Sequence, residues 1–118
     1  MLTLLHNPRC SKSRAAKEIL SELNVEFETR EYLNQPLSES ELKDLLEKLG
    51  LSPLELVRTK ETLIKEESIS LETQSDALKA LENYPKLMER PVVVGKNFAV
   101  IGRPPELIKT HFEKLIQK

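Results

Sequence analysis

Residues 91 to 101 restrict the possible folds more than any other stretch. Pro91-Val92-Val93-Val94 and Phe98-Ala99-Val100-Ile101 are two apolar, β-branched runs joined by the turn-prone Gly95-Lys96-Asn97, the pattern of an antiparallel hairpin. Gly102 marks its end. Pro104 or Pro105 then opens a helix whose apolar stripe is Leu107, Ile108, Phe112, Leu115 and Ile116, so this region reads as a ββα unit. If Val94 pairs near Phe98, residue 90 lies opposite about residue 102, and Arg90 and Arg103 emerge at one end of the hairpin.

The N-terminal region reads differently. Leu2 to Leu5 is a short apolar run suited to a buried strand. Ala15, Ala16, Ile19, Leu20 and Leu23 recur at helical spacing and predict a helix over 11–23, which Asn24 can end in the left-handed conformation. Val25, Phe27 and Thr29 alternate with Glu26, Glu28 and Arg30, as in a half-buried strand. Together these make a parallel βαβ unit.

The middle of the chain is mostly helical. Asn34-Gln35-Pro36 breaks the preceding strand, and Ser38 with Glu41 has the spacing of a capping box. Leu42, Leu45, Leu46 and Leu49 form the stripe of that helix, which Gly50 stops. Ser52-Pro53-Leu54-Glu55 repeats the same grammar and starts a short helix carrying Leu56, Val57 and Arg58. A further helix is predicted over 73–84, before Pro85. A parallel βαβ unit followed by a ββα unit around one mixed four-stranded sheet is a thioredoxin-like α/β arrangement, here with a helical insertion at about 36–85. At 118 residues, 39% of them hydrophobic, one domain over 1–118 can build its core without a disulfide or a metal.

The only cysteine, Cys10, lies between the first strand and the first helix, inside His6-Asn7-Pro8-Arg9-Cys10-Ser11-Lys12-Ser13-Arg14. A thiol at a helix start faces unpaired N–H groups and the positive end of the helix dipole, which favour its anion. Its polar neighbours Arg9, Ser11, Lys12 and Ser13 argue against a buried, inert thiol. Ligands of α/β sheets gather beyond the carboxyl ends of parallel strands, which is where Cys10 falls. If the hairpin runs antiparallel to the first strand, Arg90 and Arg103 reach that same end and offer planar, permanently charged forks to an oxyanion. His6 reads either as a core histidine bonded to backbone or as a partner of the thiolate. Arg14 is near enough to contribute, while His111 reads as structural.

Composition excludes several classes. A formal net charge of -1 with scattered basic residues gives no footprint for nucleic acid or an acidic membrane. No apolar run approaches the roughly 18 residues of a membrane span, and a cytoplasmic location is expected. One cysteine forms no internal disulfide, so a redox cycle must take its second thiol from another molecule. A metal site is not expected, and a monomer is.

Four segments in order, His6 to Arg14, Leu56-Val57-Arg58, Glu89-Arg90-Pro91-Val92-Val93-Val94 and Ile101-Gly102-Arg103-Pro104, make the chain resemble the glutaredoxin-dependent arsenate reductases and their close bacterial relatives. The resemblance implies Cys10 as nucleophile, with Arg58, Arg90 and Arg103 as a triad holding arsenate or a similar oxyanion. The resemblance to thioredoxin-like folds implies that Arg90-Pro91 is a cis peptide, while the resemblance to the reductases implies that His6 and Ser13 tune the cysteine and that arsenical resistance is the setting. It implies no bound cofactor: glutathione resolves a thiol-arsenate adduct and glutaredoxin takes over the mixed disulfide, releasing arsenite. Two alternatives stand beside it. One is a glutathione-dependent thiol reductase of another substrate. The other is a regulator resembling Spx, which binds RNA polymerase and usually carries a Cys-x-x-Cys switch, where Ser13 stands here.

Overall fold

The computed structural model describes residues 2–102 and 106–116. The chain forms two compact units, one of residues 1–34 with 90–118 and one of residues 35–89.

The first unit is a four-stranded sheet with two helices. Its strands are β1 (Leu2–Leu5), β2 (Phe27–Arg30), β3 (Val92–Val94) and β4 (Ala99–Ile101), in the spatial order β2-β1-β3-β4. β1 pairs parallel with β2, with Leu5 opposite Arg30, and antiparallel with β3, with Leu5 opposite Val92. β3 and β4 are antiparallel. A parallel βαβ unit and a ββα unit thus share one mixed sheet, the thioredoxin-like arrangement expected from the sequence. α1 (Ser11–Glu22) ends at Leu23, after which Asn24 takes the left-handed conformation at φ 59°. Leu4, Val93, Ala16, Leu20, Ile108 and Phe112 form the buried core between the sheet, α1 and the last helix.

Three details differ from the sequence reading. Val94 pairs with Ala99 rather than Phe98, because Gly95 N–H bonds to Phe98 O at 2.8 Å and the Phe98 ring lies where a Cβ on Gly95 would stand. The register therefore sets Pro91 opposite Gly102, whose N–H donates to Pro91 O at 2.8 Å. Thr29 is exposed and Arg30 half-buried, since β2 is an edge strand of four residues whose last carbonyl accepts His6 N–H at 2.9 Å. Leu107 is 44% exposed, because the last helix, Glu106–Ile116, is phased by Ile108 and Phe112. His111 of that helix stacks on Phe98, with ring centroids 4.7 Å apart. The expected opening of this helix at Pro104 or Pro105 lies outside the described residues.

The second unit coincides with the expected insertion. It holds α2 (Glu39–Leu49), α3 (Pro53–Leu56), α4 (Leu63–Glu66), α5 (Gln74–Asn83) and a 3-10 turn over Pro85–Leu87. Ser38 and Glu41 form the capping box at α2, and Gly50 ends it at φ 69°. At α3, Glu55 accepts the Ser52 N–H at 3.0 Å. Thr73 and Asp76 cap α5 reciprocally. The helix read through Val57 and Arg58 stops at Leu56. Val57 is extended and bridges Met88, while Arg58 N–H bonds to Leu87 O and Glu89 N–H to Leu56 O. A β-branched residue in a two-stranded pairing outweighs one more helical turn. α4, which the sequence reading lacks, is a single turn with no buried residue. Outside it, the unit's apolar centre is Leu42, Leu45, Leu56, Ala77, Leu81 and Leu87.

Candidate active site

The loop from β1 to α1 is held by its own polar groups. Asn7 carries three of its ties: its N–H donates to Ser13 Oγ at 2.9 Å, its Oδ1 accepts Arg9 N–H at 3.1 Å, and its carbonyl accepts Cys10 N–H at 2.9 Å. Arg14 Nη1 reaches back to Pro8 O at 2.8 Å and clamps the turn from outside. Such closed bonding leaves Cys10 as the N-cap of α1, with φ -95° and ψ 122°, just outside the helical region. Cys10 is half-buried.

Two strand registers bring Arg90 to it. β3 runs antiparallel to β1 with Leu5 opposite Val92, so continuing the pairing sets Asn7 opposite Arg90 at the end where the Cys10 loop begins. That places the Arg90 guanidinium near enough to the Cys10 thiol to act on its titration. Burial alone would push the thiol pKa up. That effect is outweighed by the bond from Arg90, by the N–H groups of Ser13 and Lys12 in the first helical turn, and by the charge of Arg90, so the thiol sits below its ordinary value. Arg90 shows the counterpart: burial would ease its proton off, but Cys10 and Tyr32 raise its pKa further. Arg90 Nε is buried with no hydrogen-bond partner among the described residues.

Tyr32 is absent from the sequence reading of the site. Its side chain is 1% exposed, and its hydroxyl lies near enough to the Arg90 guanidinium to raise the pKa of Arg90. A tyrosine two residues past the end of an edge strand was the available signal, because a buried phenol needs a polar partner. Finding which partner needs the fold.

His6 lies against Ser13 rather than against the thiol. Its Nδ1 is 2.7 Å from Ser13 Oγ, and both residues are buried. Ser13 Oγ already accepts the Asn7 N–H, which leaves its own hydrogen to give to a neutral imidazole. Burial lowers the His6 pKa, the charges of Lys17 and Arg14 lower it further, and Glu31 opposes them only in part. His6 is thus neutral at pH 7 and braces the loop through Ser13.

The remaining residues fall as follows. Arg90-Pro91 is cis, and Pro91 is buried opposite Gly102. Arg58 belongs to the second unit, where its Nη1 pairs with Glu61 Oε1 at 2.8 Å. Arg103 lies outside the described residues. Among the described residues, no three His, Cys, Asp or Glu side chains are placed to hold a metal ion, and no helix is long and apolar enough to cross a membrane.

A thioredoxin-like sheet that sets one arginine-paired thiol at the start of its first helix defines the class of protein. The sequence pattern of the ArsC family matches residues 5–111, and the chain belongs to that family. Protein YfgD of Escherichia coli K12, itself uncharacterised, is 46% identical over 108 residues, covering 89% of this chain and 91% of its own. An arsenate reductase of Neisseria meningitidis is 42% identical, over 92% of this chain and 95% of its own. The solved structure of an arsenate reductase from Vibrio cholerae matches with a TM-score of 0.84 at 37% identity, over 92% of this chain and 95% of that one. The global transcriptional regulator Spx 1 of Bacillus cereus is more distant, at 24% identity over 99% of this chain and 91% of its own.

Proposed function

We propose that the protein reduces arsenate, with Cys10 as nucleophile and glutathione and glutaredoxin as the thiol donors. The observation that carries this reading is the guanidinium of Arg90 beside a thiol that caps the first helix and whose pKa is lowered. The same group that favours the thiolate also attracts a tetrahedral oxyanion. Arg58 and Arg103 complete the anion cup in this proposal, and the unpartnered Nε of Arg90 supplies a donor for it.

The chemistry balances without a second cysteine. The Cys10 thiolate forms a sulfur–arsenic bond as one arsenate oxygen takes a proton and leaves as water, and arsenic stays as arsenic(V). A glutathione thiolate then attacks the Cys10 sulfur. A disulfide forms, the sulfur–arsenic electron pair stays on the metalloid, and arsenite leaves as arsenic(III), two thiols having supplied the two electrons. A glutaredoxin thiolate attacks the glutathione sulfur of the mixed disulfide, and Cys10 leaves as thiolate.

Ser13, where a switch-type regulator would carry its second cysteine, is fully buried and bonded to His6 and Asn7. That favours a single-thiol enzyme over a disulfide sensor. The test is NADPH consumption in a mixture of glutathione, glutaredoxin and glutathione reductase, which should depend on arsenate and vanish in Cys10→Ser. Absence of arsenate-dependent turnover in the wild-type protein would refute the proposal.

A further inference from the structure

A concavity lies against the Cys10 loop. It is lined by His6, Asn7, Pro8 and Arg9 of that loop and by Glu31, Leu33 and Asn34, and it has a volume of about 350 Å³. That is within the roughly 300–1,000 Å³ of small-molecule sites. Arg9 and Glu31 bring one charge of each sign to it, and neither side chain is ion-paired among the described residues. Leu33 adds apolar surface at 41% exposure. Opposite charges that share a cleft without meeting each other match a ligand carrying both on one carbon, an α-amino-acid zwitterion. The arginine takes the carboxylate through two parallel bonds and the glutamate takes the ammonium. Cys10 follows Arg9 in the chain, so the cleft wall leads to the thiol loop.

We infer that this cleft holds the γ-glutamyl head of glutathione, gripping its carboxylate with Arg9 and its ammonium with Glu31, beside the cysteine its thiol must reach. The inference rests on the proposal that glutathione resolves the Cys10 adduct, and it assigns that donor a place. The rest of the tripeptide would run along Asn7, Leu33 and Asn34, which line the same cleft.

The probe is S-methylglutathione, which lacks a reactive thiol, titrated into the isotope-labelled protein and followed by backbone amide shifts. The expected result is saturable shifts at Asn7, Arg9, Leu33 and Asn34, with affinity about tenfold weaker in Glu31→Gln and in Arg9→Gln. L-glutamate should bind at least tenfold more weakly than the tripeptide; equal binding would make the cleft an amino-acid site and overturn the inference. Shifts confined to other residues, or unchanged affinity in both variants, would overturn it too. A kinetic arm separates this idea from the one beneath it. If arsenate turnover proceeds while the KM for glutathione is unmoved in both variants, the cleft assignment fails and the reduction chemistry stands. If turnover is absent but Glu31-dependent binding of the probe persists, the chemistry fails and the cleft stands.

Discussion

His6 Nδ1 and Ser13 Oγ lie 2.7 Å apart, and this bond ties the end of β1 to the first turn of α1 on either side of Cys10. Because Ser13 also accepts the Asn7 N–H, one hydroxyl fixes both flanks of the loop that carries the thiol. His6 therefore acts on Cys10 through position, and its charge state matters to stability more than to thiolate pairing.

A pH dependence follows with a definite sign. The folded pKa of His6 is lowered, mainly by burial, so below about 6.5, where a free histidine protonates, the unfolded chain binds more protons and stability falls with pH. The loss is complete once pH has passed below the folded value. The lowered Cys10 pKa acts in a higher window: its contribution is full above about 8.5, the value of a free thiol, and is lost as pH falls through the folded value. Urea denaturation across pH should show both limbs, with His6→Asn removing the acid one and Cys10→Ser the other. A stability profile that is flat from pH 5 to 9 in the wild-type protein contradicts this assignment.

Arg90→Ala should raise the Cys10 pKa and weaken oxyanion binding. Loss of one charge-assisted hydrogen bond costs roughly 1.5–3 kcal/mol, or about ten- to a hundredfold in affinity. Arg90→Lys should rescue only part of this, since a point charge cannot replace the planar fork. Tyr32→Phe should move both quantities in the same direction by less, because the guanidinium keeps its charge and loses only the hydroxyl beside it. Alkylation rates against pH and inhibition by arsenate measure the two effects together. If Tyr32→Phe changes stability alone, its hydroxyl does not position Arg90.

Gly102→Ala tests the packing behind the site. A Cβ there would come within 2.5 Å of Ile108 Cδ1 and 2.9 Å of its Cγ1, and Ile108 is fully buried. Overpacking of this kind costs roughly 1–3 kcal/mol. A thermal midpoint lowered by several degrees is expected. An unchanged midpoint would mean that the last helix shifts freely on the sheet.

What the sequence disclosed was what local chemistry decides. Ser38 with Glu41, Gly50 and Asn24 act within a turn of their own position, and each end they mark is where the spacing sets it. The meeting of Arg90 with Cys10 was also legible, because it needs only two strand registers and the sense of one pairing. The hairpin register moved by one residue because the Phe98 ring covers Gly95 while packing on His111 and Phe112, a contact between distant segments. Val57 left its helix for the same kind of reason, a partner at Met88. One turn at Leu63–Glu66 is too short for any periodicity to announce it. Tyr32 was out of reach because its role is defined only by what β3 places above it.

The most direct test is titration of the Cys10 thiol by the pH dependence of its alkylation rate, with and without arsenate. The structure predicts a midpoint below the ordinary value of a free thiol, a rise in that midpoint in Arg90→Ala, and protection from alkylation by arsenate. A wild-type midpoint at the value of a free thiol that is indifferent to arsenate and to Arg90 would contradict the account.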